Sequence, residues 1–154
     1  MEKRIYLTKQ GLSEAQAELN YLTKTRVPEL AQSLKDARSS EITLENWDWY
    51  SLRNEQILIE KRITRLRDLV RNATIIEDSG TDKVSVGTKT KLKFLADDRI
   101  ETYYIVGTYE ANPFEHKISD RSPIVRAILG KEVNDTVTVT LKSSEFQVKI
   151  MGIS

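Results

Sequence analysis

The fold is decided first by residues 49–70, which read WYSLRNEQILIEKRITRLRDLV. Within this stretch, apolar residues recur at alternating intervals of three and four residues. One position of the series is polar, Gln56. The series is Trp49, Leu52, Gln56, Ile59, Ile63, Leu66 and Val70. Such spacing places a narrow apolar stripe along one side of a helix, as in a two-stranded coiled coil. The stretch therefore predicts a long helix that packs against a second helix.

The segment that precedes this helix supplies the partner. Two sets of apolar residues follow the same spacing, first Leu12, Ala15, Leu19 and Leu22, and then Val27, Leu30, Leu34 and Ala37. The two sets are out of phase by one residue close to Pro28. Because proline has no backbone N–H and clashes with the preceding turn, we expect a kink or local unwinding there. Residues 39–46 show no periodicity and are expected to hold the turn of an antiparallel hairpin.

The second half of the chain has a different composition, with five of the 6 glycines and two of the 3 prolines. Alternation with a period of two predicts strands, and the stretches concerned are Thr88–Phe94, Glu101–Val106, Thr136–Leu141 and Phe146–Ile150. In the third of these strands, Val137, Val139 and Leu141 are expected to share one face. Ser122 and Pro123 are typical of a helix start, and Gly130 lies beyond the expected end of that short helix.

Together these patterns predict an α+β protein. An N-terminal antiparallel α-helical coiled-coil hairpin is expected over residues 1–76, a linker over 77–83, and a small antiparallel β-sheet domain with one short helix over 84–154.

Composition excludes several classes of site. The 154 residues include 24 Lys and Arg against 23 Asp and Glu, so a net charge of +1 does not indicate a nucleic-acid wrapper. With no cysteine, the chain has no disulfide, thiolate zinc site or cysteine nucleophile. The single histidine, His116, lies in a polar stretch and is interpreted as a solvated loop residue rather than a base. No phosphate-binding loop or catalytic triad is present, so we do not expect a self-contained enzyme.

No apolar run approaches the ~20 residues that a membrane-spanning helix needs. The first six residues also lack the apolar region of a signal peptide. We therefore expect a cytoplasmic protein that has no contact with membranes.

The expected hairpin turn is rich in carboxylates, with Glu41, Glu45 and Asp48 close together in the sequence. One interpretation is that Glu45 offsets the positive end of the second helix. The other is that the hairpin carries carboxylate oxygens to a distant site, where they help to hold Mg²⁺. Trp47 lies off the apolar stripe, and it either caps the end of the hairpin or contacts a partner.

A basic segment lies nearer the end of the second helix, at Lys61, Arg62 and Arg65. It is either a solvated helix face or an electrostatic contact for single-stranded RNA. No aromatic residues alternate with these charges, which weakens the second interpretation.

Over nearly its whole length the chain resembles the Gre family of bacterial transcription elongation factors, GreA and GreB. Residues 6–12 read YLTKQGL, close to the family's opening Y-L-T-x-x-G-L, and residues 104–107 and 110–113 read YIVG and EANP. The most specific match is ISDRSP at residues 118–123, which is followed by AILGK at 127–131.

This resemblance implies a coiled-coil hairpin and an FKBP-like C-terminal domain. It implies that the C-terminal domain binds a coiled coil at the rim of the RNA polymerase secondary channel, and the residues that match the docking stretch are Ser119, Asp120, Ser122 and Pro123. The hairpin would enter the channel, where acidic tip residues help the polymerase's own active site to hold a second Mg²⁺ and to cut backtracked RNA close to its 3′ end. The factor itself would be a monomer without a stably bound cofactor or a metal of its own.

At the tip the sequence departs from the family pattern. The family's G-D-L-S-E-N aligns with residues 41–46, which read EITLEN. Glu45 and Asn46 match, but the family's Asp falls on Ile42, which offers no ligand atom. We therefore expect Glu45 to be the main carboxylate that acts in trans, and Glu41 to be a substitute for the missing Asp. Trp47 and Trp49 also replace the Ala and Tyr that are usual in the family.

Three functions remain open from the sequence. The first is a factor that stimulates transcript cleavage, and the second is a non-cleaving relative that occupies the same channel and regulates or inhibits the polymerase. The third is an FKBP-like prolyl isomerase with a helical appendage, for which fold analogy alone is a weak argument.

Overall fold

The computed structural model describes residues 4–39, 47–77 and 80–154. The chain forms two compact units, one made of residues 1–11 with 74–154 and the other of residues 12–73. This division differs from the boundary expected at 77–83. The reason is that strand β1 (Tyr6–Leu7) lies parallel to strand β2 (Thr74–Ile75), so the opening segment belongs to the same unit as the C-terminal part.

In its described residues, the helical unit contains three α-helices and one short π-helical segment. Helix α1 spans Lys9–Tyr21, the π-helical segment Leu22–Arg26, α2 Val27–Ser39 and α3 Trp47–Asn72. At the end of the π-helical segment the backbone N–H of Val27 donates to the carbonyl oxygen of Leu22, five residues earlier. The wider turn takes up one extra residue, which explains why the apolar spacing slips between Leu22 and Val27. The local unwinding predicted near Pro28 is confirmed.

The two legs of the hairpin are antiparallel and meet along the predicted stripe. Every predicted stripe position is buried or half-buried, and Leu69 is a buried addition. Ion pairs link the legs, among them Arg62 with Glu18 and Arg26 with Glu55. From Glu18 to Arg26 the residue number rises along the first leg, while that of the partner falls from Arg62 to Glu55 along the second. The two legs are therefore antiparallel, as predicted. The turn predicted over residues 39–46 falls, beyond Ser39, outside the described residues.

The other unit contains a five-stranded sheet, and its strands are β3 (Lys89–Phe94), β4 (Arg99–Val106), β5 (Lys117–Ser119), β6 (Thr136–Thr140) and β7 (Glu145–Ile153). Their order across the sheet is β5-β4-β3-β7-β6. Neighbouring strands are antiparallel except β4 and β5, which are parallel. The sheet is thus mainly, not wholly, antiparallel.

One face of this sheet and one short helix enclose the core. The helix α4 spans Pro123–Ile128, and its Val125 and Ile128 are buried. They belong to the same core cluster as Leu92, Ile105 and Val148 of the sheet. The predicted helix start is confirmed, since the Ser122 side chain accepts a hydrogen bond from the Val125 N–H. Gly130 follows with a φ of 79°, in the left-handed region that favours glycine.

The face predicted for β6 is partly wrong. Val139 is buried and Val137 half-buried, but the strand ends at Thr140 and Leu141 is exposed. The turn into β7 starts there, so the alternation of inward and outward side chains stops one residue earlier than the sequence pattern suggests.

Three sequence motifs, YLTKQGL, YIVG and EANP, meet where the opening segment joins the sheet unit. The Glu110 carboxylate accepts hydrogen bonds from the Thr8 N–H, at 2.8 Å, and from the Thr8 hydroxyl. The Thr8 hydroxyl oxygen in turn accepts from the Gly11 N–H at 2.9 Å, so Thr8 caps the start of α1. A Cβ on Gly107 would lie 1.9 Å from the Tyr6 carbonyl oxygen, so only glycine permits this close approach.

Across the described residues, no helix is long and apolar enough to cross a membrane.

Candidate functional site

The residues 119–123 form a compact turn between β5 and α4. The Ser119 hydroxyl oxygen accepts from the Arg121 N–H at 3.1 Å, and the Ser122 hydroxyl oxygen accepts from the Val125 N–H at 3.3 Å. The Asp120 N–H donates to the Val106 carbonyl oxygen at 2.9 Å, which ties the turn to the sheet. This segment is called the docking turn below. The structure therefore brings together four of the predicted partner-binding residues, namely Ser119, Asp120, Ser122 and Pro123.

The Asp120 side chain in the docking turn is half-buried. Among residues 4–39, 47–77 and 80–154, no side chain or backbone N–H pairs with its carboxylate. Both serine hydroxyls of the turn are engaged locally, whereas this carboxylate keeps its acceptors for another molecule. The turn thus presents the Asp120 carboxylate for recognition, next to the exposed side chain of Arg121.

A cavity of about 440 Å³ adjoins the docking turn. Its wall combines apolar side chains with a few polar ones, among them Glu101, Tyr103, Pro113, His116, Ile118, Ser119 and Ser122. Concave surfaces that are mainly apolar, with a few convergent polar groups, are typical of binding sites. Because Ser119 and Ser122 belong to both features, the docking turn and the cavity form one continuous surface.

His116 is an exposed loop residue, as the sequence suggested. Its backbone is left-handed, with φ 55°, and its ring stacks on that of Tyr103 with the centroids 5.7 Å apart. The Nδ1 atom lies 3.2 Å from the Thr102 carbonyl oxygen and 3.6 Å from a Glu101 carboxylate oxygen. Burial raises the pKa of Tyr103, and the Glu101 charge raises it further. The cavity wall therefore presents a neutral phenol at neutral pH.

At the other predicted site, the described part of α3 starts with Trp47, whose side chain is 79% exposed. Trp49 is half-buried, and its ring meets that of Tyr50 edge to face at 5.2 Å. Trp49 thus belongs to the hairpin's own packing, whereas Trp47 projects from it and is free to contact a partner. Asp48 is exposed in the first turn of the helix. Glu41, Ile42 and Glu45 lie outside the described residues.

The predicted basic patch is only partly free. Arg62 forms two hydrogen bonds with the Glu18 carboxylate, at 2.7 and 3.0 Å, and therefore links the two legs of the hairpin. Lys61 and Arg65 are exposed, and neither has an ion-pair partner in the described part of the chain. Two of the three charges thus remain available to an anionic partner.

The described residues contain no group of three or more His, Asp or Glu side chains that could hold a metal ion.

The sequence did not predict the contact between Glu110 and Thr8, because the two residues lie 102 positions apart. It also missed the cavity and the exposure of Phe114 beside it. The sequence signals were present in the motifs YLTKQGL and EANP, but a single sequence does not say that they touch.

Comparisons with known proteins cover both units. Residues 5–75 match the family model described as Transcription elongation factor, N-terminal, and residues 79–154 match the model described as Transcription elongation factor, GreA/GreB, C-term. The transcription elongation factor GreA of Bacillus licheniformis is 43% identical over 155 residues, which cover 99% of this chain and 98% of that protein. GreA of Bacillus subtilis is 41% identical over 154 residues, with the same coverage.

Among solved structures, this chain is similar to the GreA factor homolog 1 (Gfh1) protein of Thermus thermophilus. The sequences are 24% identical, 99% of each chain is covered, and the TM-score is 0.45.

Proposed function

The chain belongs to the GreA/GreB family of transcription elongation factors, and we propose that it binds RNA polymerase at the secondary channel and stimulates cleavage of backtracked RNA. The observation that carries this proposal is the docking turn, in which the four residues that match the family's docking stretch lie together and the Asp120 carboxylate has no partner within the described residues. We assign this turn to the coiled coil at the rim of the channel.

The hairpin would deliver its end to the polymerase active site. Glu45, with Glu41 as a substitute for the family's Asp, would supply carboxylate oxygens to a second Mg²⁺ that the polymerase holds. When bound, this ion activates water for attack on the RNA backbone. The polymerase would carry out the hydrolysis, so the factor would not itself be an enzyme. It would act as a cytoplasmic monomer.

Lys61 and Arg65 support a secondary contact with RNA near its 3′ end. They are exposed on the same helix, four residues apart, and therefore lie on one face. Arg62 would contribute less, because its guanidinium is already held by Glu18.

A non-cleaving regulator of the same channel is the second candidate, and Ile42 is the observation that favours it. An aliphatic side chain at the position of the family's Asp removes one carboxylate from a site that needs several oxygen ligands. Docking would persist in such a protein, but cleavage would not. Family membership favours both candidates over a prolyl isomerase.

Transcript cleavage in stalled, backtracked elongation complexes with Mg²⁺ separates the two candidates. The proposal expects shortened RNA with the wild-type chain and at least a tenfold slower rate with Glu45→Ala. Glu60→Ala, which removes an exposed carboxylate elsewhere on α3, is the matched control and should cleave normally. Intact RNA with slowed elongation would instead support the non-cleaving candidate, and Ile42→Asp should then gain cleavage.

Docking is tested separately by the affinity of the full chain for RNA polymerase. We expect Asp120→Ala to weaken binding about tenfold, which corresponds to about 1.4 kcal/mol for the loss of a charged contact. The control Asp82→Ala, an exposed carboxylate in the same unit, should bind within twofold of wild type. Equal affinities for both variants would remove Asp120 from the interface.

A further inference from the structure

Helix α3 carries a second periodic series, on the side that the hairpin leaves open to solvent. Its positions alternate by three and four residues, and each lies two residues before a member of the buried stripe. Two residues correspond to about 200° around a helix, so the series lies almost opposite that stripe. This surface is called the outer stripe below, and it consists of Trp47, Tyr50, Asn54, Ile57 and Lys61, with Leu58 beside them.

The outer stripe leaves large apolar side chains in water. Trp47 is 79% exposed and Leu58 65%, and Tyr50 and Ile57 are exposed as well. Such surface contributes nothing to folding, because hydrophobic stabilisation comes from apolar surface that is removed from water. A row of exposed apolar side chains with polar neighbours is typical of a site where another protein binds.

The order of residues along the outer stripe is self-complementary. Counted from Asn54, Tyr50 and Leu58 lie four residues away in opposite directions, and Trp47 and Lys61 lie seven residues away. When two copies of α3 pack antiparallel about a two-fold axis at Asn54, Tyr50 of each copy therefore meets Leu58 of the other. The Lys61 ammonium of each copy meets the Trp47 ring of the other, which is a cation–π contact. The two Asn54 amides meet at the axis, and an asparagine in such a position fixes the register of a coiled coil.

Charge also favours a second copy as the occupant. Each Lys61 lies seven residues from the axis, so the two ammonium groups are separated by about 21 Å along the helices. This exceeds the ~8 Å over which exposed charges interact at physiological salt. The pair therefore brings each ammonium group onto an aromatic ring rather than onto the other ammonium. An unrelated partner would not need matching residues at equal distances from a central position, whereas a second copy does.

We propose that the chain forms an antiparallel dimer through the outer stripes of two copies, centred on Asn54. About 15 residues of each helix take part, so the interface is at the small end of the range for specific complexes, and we expect a dissociation constant in the micromolar range. The dimer covers Trp47 and Lys61, in the part of the hairpin that would enter the channel, and so withholds the factor from the polymerase. This consequence rests on the proposed function. The dimer is then a stored form, and the monomer is the form that acts.

Sedimentation equilibrium of the full chain between about 1 and about 200 μM tests the dimer, and wild type should change from monomer to dimer over this range. Asn54→Lys and Asn54→Asp each place like charges at the axis and should stay monomeric. An equal mixture of these two variants should form the dimer again. Trp47→Ala should weaken association about tenfold or more, because both ends of the interface lose a contact.

Glu60→Lys is the matched control, since it changes an exposed charge of α3 outside the outer stripe. It should associate within twofold of wild type. A wild-type chain that stays monomeric throughout the range overturns the inference. A mixture of Asn54→Lys and Asn54→Asp that stays monomeric also overturns it, because the two positions 54 then do not face each other.

A tethered dimer tests the consequence for the polymerase. The sequence has no cysteine, so Asn54→Cys introduces one thiol per chain, and mild oxidation should link two copies at the axis. Glu60→Cys should not link, and equal linking from both positions would overturn the proposed register. The linked Asn54→Cys dimer should bind RNA polymerase about tenfold more weakly, or less, than the same protein after reduction.

Equal binding by the linked and reduced forms would overturn the storage role. If neither wild type nor the reduced variant binds polymerase, the proposed function fails and the storage role fails with it. The dimer itself would still be decided by sedimentation, which needs no polymerase.

Discussion

Replacing Glu110 tests how the opening segment is fixed within its unit. The carboxylate accepts two hydrogen bonds from Thr8, one from the backbone N–H and one from the hydroxyl, at the start of α1. Hydrogen bonds to charged groups contribute about 1.5–3 kcal/mol each, but this site is half-buried and water can replace part of the loss. A negative charge at a helix N-terminus adds about 0.3–1 kcal/mol.

We therefore expect Glu110→Ala to lower the free energy of unfolding by about 2 kcal/mol. At about 2–4 °C for each kcal/mol in a chain of this size, the thermal midpoint should fall by about 4–8 °C. Glu110→Gln keeps one acceptor of the same shape and should lose about half as much. Urea unfolding followed by circular dichroism measures the free energies of unfolding of the two variants, and heating followed by the same signal measures their thermal midpoints.

Glu115→Ala is the control for this experiment. Glu115 lies in the next turn of the chain, and its only ion pair, among the residues the structure describes, is an exposed one with Lys117. Surface pairs of this kind contribute little, so its loss should cost less than about 0.5 kcal/mol. If Glu110→Ala cost no more than Glu115→Ala, the contact with Thr8 would not stabilise the unit and the reasoning would be refuted.

Three further predictions concern the two units separately. Gly107→Ala should lower the free energy of unfolding by about 3 kcal/mol or more, because its Cβ would meet the Tyr6 carbonyl oxygen; a stable variant in urea unfolding would contradict this close approach. Leu66 lies at a buried stripe position, so Leu66→Ala should lower the free energy of unfolding by about 2–4 kcal/mol. Leu58 is 65% exposed on the same helix, so Leu58→Ala should lower it by less than about 0.5 kcal/mol. Equal losses of helical signal on heating would argue against the assigned stripe. Since burial and Glu101 raise the pKa of Tyr103, this phenol should ionise above the ordinary value of about 10, and stability should fall as pH rises from there through the folded pKa. Tyr103→Phe should remove that part of the alkaline loss. The difference between the ultraviolet titrations of wild type and variant isolates this phenol, and a midpoint at or below about 10 would contradict the shift.

The sequence predicted the helical unit well because its packing is periodic. The series Trp49 to Val70 alternates by three and four, and its members are all buried or half-buried. The one-residue slip between Leu22 and Val27 has a direct physical counterpart in the i→i+5 hydrogen bond of the π-helical segment. The burial of Leu69 was not predicted, because a strict alternation of three and four residues describes a narrower stripe than the one that the helix buries.

The sheet unit was predicted less completely, because its missing features depend on contacts between distant residues. Strands β1 and β2 have two residues each, too few to show a period, and they pair across the whole hairpin. The Thr8–Glu110 contact spans 102 residues. Leu141 was misplaced because its apolar character extends the pattern of β6 beyond the residue where the turn starts. Within the candidate site, ISDRSP indicated the docking turn, but the cavity depends on β4 and β5 lying side by side.

Photocrosslinking from two positions of the full chain tests whether the docking turn contacts the channel rim while the hairpin enters the channel. A photoreactive amino acid would replace Trp47 at the exposed start of α3 in one protein and Pro123 in the docking turn in the other, each bound to a backtracked elongation complex. We predict that position 47 labels polymerase segments or RNA close to the active site, while position 123 labels the coiled coil at the channel rim. It is contradicted if position 47 labels nothing inside the channel while position 123 labels the polymerase normally.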